Sequence, residues 1–281
     1  MSFTSKLVYL YFKHQKRYNS EYWDEKIKNT NTPQIPPLPK REYRFENNIF
    51  YFNENSTSDI AIYYIHGGAY LNTFSKYHFK FIDKLIKKTN ALVIAPNYDL
   101  IPFSNGEKLI DYLSNIYLDC VSKNSNKKII IIGDSAGGGL SLSLALFLSM
   151  NNYKKPDKMV LLSPCVDITI SNPKIEEFKK YDPWLYTERL SICCKYFADN
   201  LDYKDYRVSP LYGDIDLLKN MLIFVGTKEI LNPDITLFYE KLKDKETNKL
   251  IIGKNMLHVY PILPIKEAKK ALKIISDYIL D

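Results

Sequence analysis

The sequence predicts an α/β fold, a mainly parallel central sheet with helices on both faces. Two observations carry that prediction. Short segments that are apolar at nearly every position, among them Ile60–Ile65, Ala91–Ala95 and Lys128–Ile132, recur along the chain. Between them lie segments with apolar residues at helical spacing. A strand apolar at consecutive positions is buried on both faces, as happens in parallel sheets whose crossover connections are helices.

Taken in order, residues 1–30 read as one or two polar, aromatic-bearing helices. Pro33–Pro39 (PQIPPLP) then forbids helix, because proline lacks the N–H and clashes with the preceding turn. Residues 1–40 are therefore expected to be an N-terminal extension with a Pro-rich linker, and residues 41–281 the main domain. Tyr43, Phe45, Ile49 and Tyr51 around Asn47-Asn48 suggest a hairpin. Strand Ile60–Ile65 is followed by a helix at 77–89 and strand Ala91–Ala95. A helix at 105–123 carries Leu109, Tyr112, Leu113 and Ile116 on one face. Lys128–Ile132 is the most apolar strand and runs into a helix at Ser135. Met159–Leu162, Met221–Val225 and Lys249–Ile252 are further strands, and the last helix spans about Pro264–Leu280. Residues 170–212, rich in aromatics and holding Pro173, Pro183 and Pro210, contain no apolar strand and read as an insertion over the carboxyl edge of the sheet.

Composition narrows the function classes. Of 281 residues, 46% are hydrophobic and 25% charged, as in ordinary globular proteins. The net charge of +7 is scattered over short clusters (Lys13–Arg17, Lys127-Lys128, Lys269-Lys270) that read as solvated helix faces. No nucleic-acid partner is expected from such scatter. Cys120, Cys165, Cys193 and Cys194 form no CxxC pair, which favours reduced thiols and a cytoplasmic location. The apolar run Leu7–Phe12 is too short to span a bilayer and is followed by Lys13, so it reads as a surface helix without stable membrane insertion. With no metal-ligand cluster or dinucleotide fingerprint, neither metal nor cofactor is expected.

Chemistry concentrates in three places. Gly133-Asp134-Ser135-Ala136-Gly137 is a G-x-S-x-G pentapeptide between an apolar strand and an apolar helix. Such a turn strains and exposes the serine and sets the Ala136 N–H at a helix N-terminus, where negative charge is favoured. His66-Gly67-Gly68-Ala69-Tyr70 follows a strand directly, and its paired glycines can turn their N–H groups toward a substrate. His66 reads as a loop-orienting residue rather than a proton carrier. A serine hydroxyl needs a base. Of His14, His66, His78 and His258, only His258 lies between the last strand and last helix, where the base of a nucleophile–acid–base order is expected. The acid belongs after Met221–Val225. Glu229 lies nearer the strand end and is preferred, while Asp234, the alternative, follows Pro233 and can instead begin a helix.

At these residues the chain resembles the hormone-sensitive-lipase family of α/β-hydrolases, a group of short-chain esterases. The carriers are HGGAY (66–70), NYDLIP (97–102), GDSAGG (133–138), SPCVD (163–167), GTKEILNPD (226–234) and the His258 loop, in the family's order over about residues 42–281. The resemblance implies the α/β-hydrolase fold and an oxyanion hole from Gly67, Gly68 and Ala136. It also implies a cap built from the N-terminal extension and the 170–212 insertion, with a structural rather than catalytic Asp167. Three positions depart from the family pattern: Ala69 for a glycine, Asp99 for an arginine, and Glu229 for an aspartate. The expected activity is hydrolysis of a small carboxylic ester, with Ser135 as nucleophile, His258 as base and Glu229 orienting it. An amidase, formamidase or acyltransferase could use the same three residues, and a catalytically silent ligand receptor is the remaining alternative. Tyr70, Tyr181, Trp184 and Tyr186 are candidates to shape the acyl pocket.

Overall fold

The computed structural model describes residues 1–281. Two helices, α1 (Phe3–Lys13) and α2 (Ser20–Lys28), precede the sheet. Strands β1 (Arg44–Glu46) and β2 (Ile49–Phe52) form a hairpin whose turn residues Asn47 and Asn48 both have positive φ, 50° and 59°. A two-residue turn with both residues left-handed matches strand twist, and asparagine tolerates that conformation better than most residues. There follow β3 (Ile60–Ile65), α3 (Lys76–Thr89), β4 (Leu92–Pro96), α4 (Gly106–Lys123), β5 (Lys128–Asp134), α5 (Ala136–Met150) and β6 (Lys158–Leu162). After α6 (Ile175–Lys179) and α7 (Thr187–Ala198) come β7 (Met221–Lys228), α8 (Asn232–Lys241), β8 (Lys249–Leu257) and α9 (Lys266–Leu280).

The eight strands make one sheet in the order β1-β2-β4-β3-β5-β6-β7-β8. The β1–β2 and β2–β4 pairings are antiparallel, and every pairing from β4 to β8 is parallel. β3 and the apolar part of β5 are buried at every residue, and successive side chains serve two different cores. Ile129 and Ile131 point to the side covered by α4, α5 and α8, while Ile130 and Ile132 point to the side covered by α3 and α9. That alternation is the period-two pleat of a strand with no solvent face.

β7 and β8 run longer than their apolar cores suggest. Beyond Gly226 and Gly253 the strands carry Thr227, Lys228, Lys254 and Asn255, and polarity hides them from an apolar-run reading. The pairing slips there, from Gly226 opposite Gly253 to Lys228 opposite Leu257. The two strands therefore end side by side, with Glu229 and His258 as the next residue of each.

Residues 170–212 hold α6 and α7 and no strand, and α7 packs against α2. Side-chain bonds tie the N-terminal helices to this segment. The Trp23 indole N–H donates to Tyr186 Oη at 2.8 Å, Arg17 donates to the Asp182 carbonyl at 2.7 Å, and Tyr196 Oη donates to Asp24 at 3.1 Å. At its start α1 is held to α9: Glu267 accepts from the Ser2 N–H at 2.6 Å and from the Ser2 and Ser5 hydroxyls at 2.7 and 2.5 Å. The Pro-rich linker is pinned by Gln34, which donates to the Leu71 carbonyl at 2.7 Å. No helix is long and apolar enough to cross a membrane.

Candidate active site

Ser135 occupies the turn between β5 and α5 with φ 52° and ψ −120°, a region costly for any residue with a Cβ. The strain is held in place by neighbours. The Ser135 N–H donates to the Leu162 carbonyl, and the Ser135 carbonyl accepts from the Cys165 N–H, both at 2.9 Å. Position 137 must be glycine, because a Cβ there would collide with the Ile65 and His66 carbonyls. The requirement is close approach between the start of α5 and the end of β3.

The Ser135 hydroxyl lies 2.8 Å from His258 Nε2, and His258 Nδ1 lies 2.5 Å from Glu229 Oε2. Because a carboxylate accepts, the proton sits on Nδ1 and leaves the Nε2 lone pair facing the serine hydroxyl. Both His258 and Glu229 are buried. The second Glu229 oxygen accepts from the Gly226 N–H at 2.5 Å and from the Ser163 hydroxyl at 2.8 Å. Ser163 in turn accepts from the Val259 N–H at 3.0 Å, so a single hydroxyl joins the Glu229 and His258 loops. Asp234 lies in the first turn of α8 and accepts from the Asn172 side chain at 2.8 Å. It makes no bond to His258.

The loop after β3 passes over the serine. Gly68 has φ +136°, which a residue with a side chain would adopt only under strain. The N–H groups of Gly67 and Gly68 donate to no backbone acceptor, and Ala136, as the first residue of α5, has a free N–H by helix geometry. His66 is fully buried and stacks on Tyr98 with ring centroids 4.2 Å apart. Its Nδ1 donates to the Gly67 carbonyl at 2.8 Å, and burial lowers its pKa to about 3, so the ring is neutral and holds the loop. Beneath the loop, Asp134 accepts from Tyr64 Oη at 2.8 Å and from His78 Nε2 at 3.3 Å. Burial alone would raise the Asp134 pKa, but His78 and Tyr64 outweigh it and the net direction is down. His78 Nδ1 accepts the Ser75 N–H at 3.0 Å, which caps α3 and fixes the proton on Nε2.

Ser135 opens into a cavity of about 380 Å³. Tyr70, Trp184 and Tyr186 line it, and so do Tyr11 and Phe12 of α1. Phe12 stacks on Trp184 at 4.1 Å, and the edge of Trp184 meets His258 at 5.7 Å. Tyr70 lies flat on Phe197 at 3.5 Å. Tyr181, expected among the pocket aromatics, is instead 45% exposed and outside the cavity, because it falls between α6 and the turn fixed by Asp182. Asp167 lines the cavity with its carboxylate engaged by the Thr169 N–H and Tyr212 Oη. Ser163, His78, Asp134 and Phe12 also shape the site, and no sequence pattern marks their roles. Only Ser163 and Asp134 lie inside recognisable motifs, SPCVD and GDSAGG.

A parallel sheet that presents a serine at a strained strand-to-helix turn, with histidine and carboxylate on later strand ends, defines the serine hydrolases of α/β architecture. Residues 62–262 match the alpha/beta hydrolase fold family, and the chain belongs to it. An esterase of Acinetobacter venetianus is 33% identical over 253 residues, covering 88% of this chain and 82% of the relative. A solved structure from Staphylococcus aureus shares 27% identity with a TM-score of 0.80, covering 93% of this chain and 90% of that one. A hormone-sensitive-lipase homologue from a metagenome library superposes with a TM-score of 0.84 at 23% identity, covering 99% and 98% of the two chains, which speaks to the fold.

Proposed function

We propose that this chain is a serine hydrolase that cleaves small carboxylic esters through an acyl-enzyme. The observation that carries the reading is the hydrogen-bonded chain Ser135–His258–Glu229 at the base of a mostly apolar cavity. In the first half-reaction Ser135 Oγ attacks the ester carbonyl as its proton passes to His258 Nε2. Glu229 keeps the imidazole in the productive tautomer and stabilises the imidazolium. The oxyanion is received by the N–H groups of Gly67, Gly68 and Ala136, each such donor contributing about 3 kcal/mol. His258 then protonates the leaving alcohol. In the second half-reaction it takes a proton from water, which attacks the acyl carbonyl and releases the acid. The Acinetobacter relative is itself described as an esterase, which supports the ester reading over an amide one.

A cavity of about 380 Å³, closed by Phe12 and Trp184, suits short acyl chains. Hydrolysis of p-nitrophenyl acetate, butyrate and octanoate by the protein and by Ser135→Ala tests the proposal. The expected result is turnover that falls from butyrate to octanoate and is lost in the variant, with fluorophosphonate labelling of wild type only. A folded protein that neither turns over any of the three esters nor takes the label would overturn it.

A further inference from the structure

One wall of the cavity is the face of α7 and its lead-in formed by Tyr186, Arg189, Leu190, Cys193 and Cys194, positions spaced as one helical stripe. Four of these are apolar or weakly polar, as befits a surface turned from water. Arg189 is the exception, and its Nε is fully buried without a hydrogen-bond partner. A guanidinium has five N–H donors in a planar fork, yet no carbonyl, carboxylate or hydroxyl oxygen of the protein accepts from any of them, Arg189 takes part in no ion pair, and its one side-chain hydrogen-bond partner is the Cys193 thiol. Its surroundings hold the fork without satisfying it. The guanidinium lies 4.6 Å over the Trp23 ring, a stacking contact that fixes its plane. The Cys193 thiol, one turn along α7, lies against it and is a poor acceptor.

The carboxylates that line the same cavity are already committed. Asp134 is bonded to Tyr64 and His78, and Asp167 to Thr169 and Tyr212. Leaving the buried Nε–H of a cation unpaired is costly, and proteins retain such a group where a ligand supplies the acceptor. The match for a planar, permanently charged fork is a carboxylate. Trp23 of α2 sets the plane of the fork, so the N-terminal extension would take part in recognition through it.

We propose that Arg189 is the specificity-determining residue of this site, and that the preferred substrates are esters bearing a second, free carboxylate, the monoesters of short dicarboxylic acids. The proposal rests on the esterase reading above. The carboxylate pairs with Arg189 while the ester carbonyl meets Ser135 and the oxyanion donors.

The test compares kcat/KM for monomethyl glutarate and monomethyl adipate with methyl valerate and methyl hexanoate, neutral esters of matched length, followed by pH-stat titration. Wild type is expected to favour the carboxylate-bearing ester of each pair by tenfold or more, about 1.4 kcal/mol. Raising the salt concentration should narrow that ratio. In Arg189→Met the ratio is expected to collapse toward one or below, and in Arg189→Lys, which keeps the charge, to survive in part. Thermal melts of each variant confirm folding. Turnover of the neutral esters with no preference in wild type overturns the assignment of Arg189 and leaves the esterase reading standing. An Arg189→Met ratio equal to that of wild type overturns it equally. Failure of all four esters together with absent fluorophosphonate labelling overturns the esterase reading beneath it.

Discussion

Ser163 shows how little separates a serine beside a histidine from an aligned proton path. It stands at φ 50° at the end of β6, donates to Glu229 and accepts from Val259, so one side chain fixes the distance between the Glu229 and His258 loops. Val259 itself adopts a left-handed conformation, φ 47° and ψ 34°, unfavourable for a β-branched residue and held by that bond. Ser163→Ala leaves a buried N–H and one carboxylate oxygen less satisfied, which costs about 1–3 kcal/mol of stability. The expected kinetic effect is a fall in kcat of about tenfold with KM little changed, since imidazole orientation and not substrate contact is lost. Glu229→Gln acts on the tautomer directly and is expected to lower kcat by about three to four orders of magnitude. Steady-state kinetics of the two variants on p-nitrophenyl butyrate check both values. An effect on KM alone in Ser163→Ala would mean that the hydroxyl shapes the pocket instead of the proton path.

At the scale of elements, α1 closes the mouth of the cavity through Phe12, and Glu267 of α9 holds α1 in place. Burial would push the Glu267 carboxyl up, but bonds from the Ser5 hydroxyl and from Ser2 hold it down to about 2, against an ordinary 4.5. A carboxyl lowered in the folded state contributes stability fully above pH 4.5, and that contribution is lost as pH falls toward 2. Acidification through this window is expected to loosen α1 before the sheet unfolds, unstacking Phe12 from Trp184 and red-shifting tryptophan emission. Glu267→Gln should show the shifted emission already at pH 7, and emission identical to wild type across the range would refute this role of Glu267. This closure was only partly legible in the sequence. The apolar run Leu7–Phe12 and the aromatics of 170–212 were visible, but the stacking of Phe12 on Trp184 joins residues far apart in the chain, and no local pattern encodes it. The same limit hid His78, whose role depends on Asp134 arriving from β5. By contrast Ser135, His258 and Glu229 lie at strand ends, and apolar runs locate strand ends well. Their positions followed from local sequence even though the lengths of β7 and β8 did not.

On the scale of the whole molecule, residues 170–212 are joined to the sheet domain by two buried carboxyls that cross the boundary in opposite directions. Asp182, between α6 and α7, accepts from the Trp184 and Leu185 N–H groups and from the Ile230 N–H beyond β7, at 2.8, 2.8 and 2.9 Å. Asp234, in α8, accepts from Asn172, which precedes α6. Burial raises both carboxyls to about 6 from an ordinary 3.8. A carboxyl raised in the folded state stabilises most when protonated, so each contribution is complete below pH 3.8 and is lost as pH rises through about 6. This opposes Glu267, whose contribution fades below pH 4.5. For Asp234 the rise from 3.8 to about 6 is worth on the order of 3 kcal/mol. Asp234→Asn keeps an oxygen for Asn172 and removes the buried charge. Urea unfolding of the variant and wild type at pH 4 and pH 8 should therefore show a gain of about 1–3 kcal/mol at pH 8 and little at pH 4. Esterase turnover of Asp234→Asn should stay within about threefold of wild type, in contrast to Glu229→Gln, because Asp234 has no bond to His258. A variant less stable than wild type at pH 8 would show that the charge on Asp234 is needed to hold residues 170–212 against α8. Loss of turnover without loss of stability would instead return the acid role to Asp234.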